Sequence, residues 1–488
     1  MVITIEVNNL YGRIVDHLTI DQLAIIQQEC QFKMEGSEYK QHAFKNKGIP
    51  WDGYKKLFNI QTRRFSIGLL SRIVNLLNKY GIQVDIIDKR IHLPQVYEYK
   101  YDVNMLRDYQ RQAVLTSAMY GNGILKVATG GGKTVIAGCT IGALQKKSIF
   151  IVHTRDLLYQ AKESFSRIFP EETIGQIGDG VIDYQNITVA TMQTLAILGG
   201  VEIGKNKYDE DATNDEVKIE ADKLKKQEFN KYRRTVQCVM MDEVQIVCSQ
   251  TAQGVRFLFE SADYAFGYSA SPWRDDGSDL AIEGAFGQRI IDITASELIR
   301  RGYLVKPTIE VHNTSYQCGD ISGDYTQIYK RYIVENGERN MQVALDAIKS
   351  YHNGMNTLIL VTQINHGNEI ANIIKEHGID VSFISGKSGM KKRKQAIQDM
   401  RDGKISLLIA STIADVGLDI PRLQCIVEAG AGKSSVTALQ RLGRIMRPFE
   451  NKNDCTFITY RDSAPFICQH IDKKLSIWRT EEEFVIYE

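Results

Sequence analysis

Ala128-Thr129-Gly130-Gly131-Gly132-Lys133-Thr134 is the stretch on which the fold turns. It follows an apolar run, Gly123-Ile124-Leu125-Lys126-Val127, and leads into Val135-Ile136-Ala137-Gly138-Cys139, which continues towards Leu144. The pattern reads as strand, glycine-rich loop, helix. Three successive glycines let backbone N–H groups converge on an anion. The helix behind them turns its positive dipole end to the same point. Thr129, Gly130, Gly131 and Gly132 would form the cradle, Lys133 would supply charge to the outer phosphates, and the Thr134 hydroxyl could hold Mg²⁺. The strict phosphate-loop pattern has glycine where this chain has Val127. Alone, the stretch also reads as a glycine turn beside an exposed lysine; the rest of the chain decides.

Downstream, Ser148-Ile149-Phe150-Ile151-Val152 is an unbroken apolar run, as in a buried parallel strand. It ends in His153-Thr154-Arg155. A second such strand, Ile187 to Thr191, ends in Thr191-Met192-Gln193-Thr194. In open α/β sheets ligands gather at the carboxyl ends of strands. The run Val236 to Met241 ends in Asp242-Glu243. An acidic pair there suits Mg·ATP hydrolysis, with Asp242 on the metal and Glu243 orienting and deprotonating water. Ala265 to Tyr268 is a further strand that runs into Ser269-Ala270-Ser271-Pro272. Upstream, Leu106-Arg107-Asp108-Tyr109-Gln110 precedes a helix from Arg111 to Tyr120. An amide just ahead of a phosphate-loop strand can donate to and accept from an adenine edge at once. Elsewhere Gln110 would be an ordinary helix-start residue.

A second α/β unit begins near Lys306-Pro307. Its strands are 357–361, 381–384 (ending in Ser385-Gly386), 406–410 (ending in Ser411-Thr412) and 425–429. Helical stretches fall between them, so the sheet should be parallel. This half has no phosphate loop, but it carries Gln440-Arg441-Leu442-Gly443-Arg444-Ile445-Met446-Arg447. Three arginines in steps of three share one helical face, from which they could reach a phosphoryl group. The final segment, to Glu488, reads as helix. Residues 202–234 are densely charged and read as an inserted, largely solvated helical excursion.

Residues 1 to about 98 read as a small α+β unit: strands at 2–7, 84–87 and 91–93, and helices at 18–30 and 67–80, the second capped by Gly81. Between the helices, residues 40–64 hold Lys40, Lys45, Lys47, Lys55, Lys56, Arg63 and Arg64 against one acid, Asp52. Phe44, Trp51, Tyr54 and Phe58 are interleaved. Such a patch can meet phosphates and stack on bases; its aromatic residues can equally belong to the small core.

The length of 488 residues suits about three domains. A net charge of +1 leaves recognition of a polyanion to local patches. The eight cysteines form no C-x-x-C pair, which suits buried, reduced thiols and no metal site. The opening Met1-Val2-Ile3-Thr4-Ile5-Glu6 lacks a basic region and a long apolar core, so no signal peptide is expected. No run of about 18 apolar residues offers a membrane span. A cytoplasmic protein is the expectation.

This ordered set resembles the helicases of superfamily 2. Residues 106–110 look like the adenine-reading motif, 128–134 like motif I, 153–155 like motif Ia and 191–194 like Ib. Asp242-Glu243-Val244-Gln245 matches motif II and Ser269 to Pro272 motif III. Ser411-Thr412 through Asp415-Val416-Gly417-Leu418-Asp419 resembles motif V, and 440–447 motif VI. Trp51-Asp52-Gly53 and Phe65 to Leu70 resemble the N-terminal domain of the XPB and phage UvsW group, whose UvsW-type members act on branched DNA. The fourth residue of motif II is usually histidine; here it is Gln245, whose amide can still donate and accept.

The resemblance implies an α/β fold with two RecA-like parallel-sheet domains in tandem (99–303 and 304–488), preceded by the α+β domain 1–98. ATP would lie between the two lobes with Mg²⁺ on Thr134 and Asp242. Arg107, Gln110, Gln245, Gly417, Asp419 and Gln440 would join the phosphate loop in binding nucleotide, and Arg444 and Arg447 would act on the γ-phosphate. Thr154, Arg155, Thr191, Ser385 and Thr412 would touch nucleic-acid backbone, with Lys45, Lys47, Trp51, Lys55, Lys56, Arg63 and Arg64 on the N-terminal patch. The expectation is an ATP-dependent helicase or translocase on forked or Holliday-type DNA. An RNA helicase, a duplex-DNA translocase subunit of a restriction system and a non-catalytic nucleic-acid-binding protein are the alternatives.

Overall fold

The structure, a computed structural model, describes residues 2–34, 37, 51–94, 97–202, 216–271, 278–314, 316, 318–319, 322–411, 420–432 and 434–488. Lys45, Lys47, Thr412, Gly417 and Asp419 lie outside the described residues. The chain divides into two compact units. One comprises Met1–Val127 and Gly132–Asp292, the other Ala128–Gly131 and Ile293–Glu488.

Among the described residues the first unit holds three sheets, the smallest being the antiparallel pair Gln31–Lys33 and Tyr54–Lys56. In the five-stranded one, Val2–Val7 pairs antiparallel with Tyr11–Ile14 and parallel with Gln83–Asp88. Alternation puts Ile3, Ile5 and Val7 in the small core, where they meet Ile73 and Leu77 of the helix Leu70–Lys79. Residues 91–93, expected as a strand, are irregular. Asn9 explains this: its side chain holds both the N–H and the carbonyl of Ile91 (2.8 and 3.1 Å), so a ladder is not needed there.

The eight-stranded sheet runs in the order Val181–Asp183, Ile174–Gly178, Ile187–Thr191, Ser148–Val152, Cys238–Asp242, Tyr264–Ser269, Asn122–Val127, Arg289–Ile293. The six strands from Ile174–Gly178 to Asn122–Val127 are parallel. Strands 148–152, 187–191 and 238–242 are buried at every position, as their unbroken apolar character requires. Their carboxyl ends therefore share one edge of the sheet. The edge strand Arg289–Ile293 has no strong apolar signature and is not legible in the sequence.

The charged segment is less detached than its composition suggests. The helix Glu216–Arg233 ends with Phe229 and Tyr232 in the core, where Tyr232 stacks on Tyr184 (4.6 Å between centroids). Two aromatic side chains outweigh the surrounding charge because each buries a large apolar area.

The second unit is a seven-stranded sheet in the order Ser382–Ile384, Leu407–Ser411, Thr357–Val361, Cys425–Glu428, Cys455–Arg461, Pro307–Asn313, Val485–Tyr487. Every pairing is parallel. The final segment is not helix alone. It contributes the strand Cys455–Arg461, the helix Cys468–Trp478 and the strand Val485–Tyr487. No helix among the described residues is long and apolar enough to cross a membrane.

Candidate active site

The glycine-rich loop ends where the helix Lys133–Leu144 begins, with Gly132 left-handed at φ 79°. A side chain there would be strained and would also meet Gln110, since a Cβ would sit 2.5 Å from its Nε2. Gln110 is thereby placed against the phosphate loop. It is buried, and its Oε1 accepts from the Arg107 N–H (3.0 Å), closing the first turn of the helix Asp108–Tyr120. The Thr129 hydroxyl is buried without a hydrogen-bond partner among the described residues.

At the end of the strand Cys238–Asp242, the chain turns sharply. Glu243 is left-handed (φ 50°, ψ 53°), and its N–H donates to Asp242 Oδ1 at 3.0 Å. A glutamate in that conformation is uncommon and marks strain of the kind found at functional sites. Lys133 Nζ lies 3.7 Å from Glu243 Oε1. On the other carboxylate oxygen, Gln245 Nε2 donates at 2.8 Å. Ser269 Oγ donates to Gln245 Oε1 at 2.6 Å, and the Ser271 N–H donates to Ser269 Oγ at 3.0 Å. One continuous chain thus runs from the phosphate-loop lysine to the turn after the strand Tyr264–Ser269. The amide of Gln245 serves both ends because it is donor and acceptor at once.

Asp242 is buried, and its pKa is pushed up to about 6. Burial is the main cause, repulsion from Glu243 adds to it, and Lys133 opposes it. A buried carboxylate held at the edge of ionisation suits a divalent cation, which would restore its charge. The donors Thr134 and Asp242 therefore fit Mg²⁺, and the glycine loop with its unmatched Thr129 hydroxyl fits phosphate. His153 ends the neighbouring strand. Burial lowers its pKa, Glu243 opposes the shift, and its Nδ1 has no partner among the described residues.

The same sheet edge carries the residues expected on nucleic acid. Thr154 caps the helix Arg155–Ile168, accepting from the Leu157 N–H (3.3 Å). Arg155 is exposed and paired with Asp179 (3.0 Å). Thr191 Oγ1 donates to Thr194 Oγ1 (2.8 Å). In the N-terminal patch, Lys56 pairs with Asp52 (2.6 Å) and Lys55 bonds Gln253 (3.0 Å). Trp51 Nε1 donates to the Tyr54 carbonyl (3.0 Å), Arg63 to the Asp16 carbonyl (2.7 Å), and Arg64 lies over Tyr11 (5.9 Å). Several of these cations already hold the fold together.

In the second unit, Ser385 follows the strand Ser382–Ile384, and its N–H donates to Ser388 Oγ (3.0 Å). The helix Ser435–Ile445 carries Gln440, Arg441 and Arg444, and Arg447 lies just past its end. The three arginines are not equivalent, which corrects their reading as one phosphate-facing set. Arg441 is buried on Glu428 (2.6 Å), which also binds Lys474 (2.5 Å) and the Thr459 hydroxyl (3.0 Å). Sequence reasoning missed Glu428 and Lys474 as anchors of this helix. It also missed Ser269 and His153 as neighbours of the Gln245–Glu243 pair; the polar end of each apolar strand was the available signal.

A phosphate loop, an acidic strand end and parallel-sheet domains in both units define a P-loop ATPase of tandem RecA-like build. Comparison with known proteins narrows the class. Residues 104–272 match the family described as type III restriction enzyme, res subunit, and residues 339–448 match the helicase conserved C-terminal domain. The chain is 25% identical to a candidate helicase of Sulfolobus islandicus filamentous virus over 86% of its length and 74% of the relative's. It is 23% identical to the ATP-dependent DNA helicase uvsW of Enterobacteria phage T4, over 85% and 82% of the two chains. For the DNA 3'-5' translocase XPB2 of Sulfurisphaera tokodaii the figures are 24%, 70% and 78%. The chain spans only 50–56% of the length of several other curated relatives. The fold is that of Saccharomyces cerevisiae Dbp5, with a TM-score of 0.52, 15% identity, and 78% and 88% of the chains covered. The chain belongs to the superfamily 2 helicases, in the XPB/UvsW group. It is an ATP-using enzyme with a nucleic-acid partner.

Proposed function

We propose that the protein is an ATP-dependent DNA helicase or translocase that remodels forks and Holliday-type junctions. The observation that carries the ATPase half is the unbroken chain Lys133–Glu243–Gln245–Ser269 beside a buried Asp242. DNA as the polymer is supported by the uvsW and XPB2 relatives, and branched DNA by the likeness to uvsW alone. Lys133 and the loop glycines bind the phosphates, Thr134 and Asp242 hold Mg²⁺, and Glu243 takes the proton of the attacking water. When bound there, Mg²⁺ would supply positive charge against the phosphates. Arg107, Gln110, Gln440, Gly417 and Asp419 complete nucleotide recognition, and Arg444 and Arg447 serve the transferred phosphate. Thr154, Arg155, Thr191, Ser385 and Thr412 follow one strand's backbone, without reading sequence. The domain 1–98, with its basic patch, selects branched over linear DNA.

The test is phosphate release with single-stranded DNA, duplex, fork, four-way junction or RNA. DNA should stimulate more than RNA, and forks or junctions more than single strands. Stimulation by RNA alone would overturn the assignment. The res-subunit match supports a second reading, a translocase that tracks duplex without opening it. Turnover on duplex with no strand displacement from a fork would favour that reading.

A further inference from the structure

The N-terminal domain is not loosely tethered to the ATP-binding domain. Both lie in the first unit and meet at one helix, Asp279–Phe286, which follows the Ser269 strand in sequence and leads into the edge strand Arg289–Ile293. On one side that helix receives the turn Ile67–Leu69 so closely that a Cβ at Gly68 would lie 2.0 Å from the Glu283 carbonyl oxygen and 2.7 Å from the Gly287 nitrogen. Both are backbone atoms, so only glycine fits. Beside this contact, Arg72 makes a two-pronged bond to Glu283 (2.9 and 2.7 Å) and a third bond to Glu29 (2.7 Å). Three residues beyond Glu283, Phe286 packs against Gly267, where a Cβ would also meet Val244, directly after Glu243. This eight-residue helix, about two turns, therefore touches the N-terminal domain with Glu283 and the strand Tyr264–Ser269 with Phe286.

We propose that the helix Asp279–Phe286 couples the N-terminal domain to the catalytic loop, with Arg72–Glu283 as its latch. Arg72 is a positioning residue, acting on hydrolysis only through this helix. Load applied to the N-terminal domain by a bound junction shifts the helix, and Phe286 transmits the shift to Gly267, Val244 and the Glu243 turn. This inference rests on the branched-DNA reading above.

The test uses the full chain with Arg72→Ala and the milder Glu283→Gln. Basal and single-strand-stimulated ATP turnover should stay near the parent's. The extra stimulation by forks should fall by about 2- to 30-fold, the usual range for residues that carry coupling. The double variant should lose no more than the worse single, because both act on one bond. Hydrogen exchange read in parallel on residues 242–248 and 279–286 should quicken in both segments. Fork stimulation unchanged in both variants overturns the proposal. So does exchange that quickens at 279–286 but not at 242–248. If the parent shows no preference for forks, the junction reading fails, and the exchange result alone decides the latch.

Discussion

Glu428 is the most exacting place to test the energetics of the second unit. It sits at the end of the strand Cys425–Glu428, is 2% exposed, and faces two buried cations, Arg441 (6%) and Lys474 (3%). Burial alone would raise its pKa, yet Lys474 and Arg441 outweigh that and hold it below the usual carboxylate value. Among the described residues, Arg441 and Lys474 share this one carboxylate. Glu428→Gln would take that carboxylate from both cations, and breaking a buried pair from one side costs about 3–5 kcal/mol. Lys474→Met would keep the Arg441–Glu428 bond and leave no bare buried charge, so its cost should stay below that of Glu428→Gln. Trp478 is fully buried one turn beyond Lys474 and edge-on to Phe457 (5.6 Å), which makes it a local reporter. The assay is urea denaturation followed by its emission, with Trp51 and Trp273 replaced by Phe. With a slope of about 2 kcal/mol per molar, Glu428→Gln should lower the midpoint by about 1.5 M or more. ATP turnover should fall with it, since Arg444 lies one turn along the helix that Arg441 anchors. The reasoning is refuted if Glu428→Gln unfolds at the parent's midpoint, or if Lys474→Met costs as much.

Lys133→Ala should abolish ATP turnover, by at least about 10²-fold, while nucleic-acid affinity in a filter-binding or anisotropy assay stays near the parent's. Gln245→Ala should cut kcat by about tenfold with a smaller change in the KM for ATP, because it frees Glu243 without touching the phosphate cradle; a raised KM with kcat unchanged would point to a binding role instead. Turnover should fall as pH drops through about 6, where Asp242 takes up a proton, and excess Mg²⁺ should move that fall to lower pH. For stability the sign is opposite. The folded pKa is raised, so the nucleotide-free protein gains stability as pH falls from about 6 towards the ordinary carboxylate range, and Asp242→Asn should lose that slope in thermal melts. His312 bonds Asp346 (2.8 Å) and Glu310 (3.1 Å), chiefly the former, and its pKa is raised. Its contribution is complete below the unfolded value and lost as pH rises through the folded one; His312→Gln should flatten that decline.

What could be read from the chain alone was whatever burial forces into an unbroken pattern. Strands 148–152, 187–191, 238–242, 357–361 and 407–411 are covered on both faces, so their sequences are mostly apolar, and the polar residue at or just after the end of each is conspicuous. That is why Asp242, Thr191 and His153 could be placed on one sheet edge before any coordinates. The edge strand Arg289–Ile293 and the closing strands 455–461 and 485–487 were not legible, because half-solvated or mixed positions dilute the signal. The same limit applied to partners across sequence distance. Arg441 and Arg444 are three residues apart on one helix, and nothing local separates them; that Arg441 is buried on Glu428, 13 residues upstream, which Lys474, 33 downstream of Arg441, also binds, is visible only in the fold. Gly68 makes the point from the other direction. In sequence it is an ordinary glycine at the start of the expected helix 67–80. Its necessity comes from the Glu283 carbonyl oxygen 2.0 Å from where a side chain would begin, more than two hundred residues away. Local chemistry of the site is therefore readable from motifs, whereas the contacts that hold its parts in register are set by packing alone. The latch at Arg72 belongs to that second kind, which is why a charge change far from ATP is expected to alter how turnover responds to DNA without altering turnover itself.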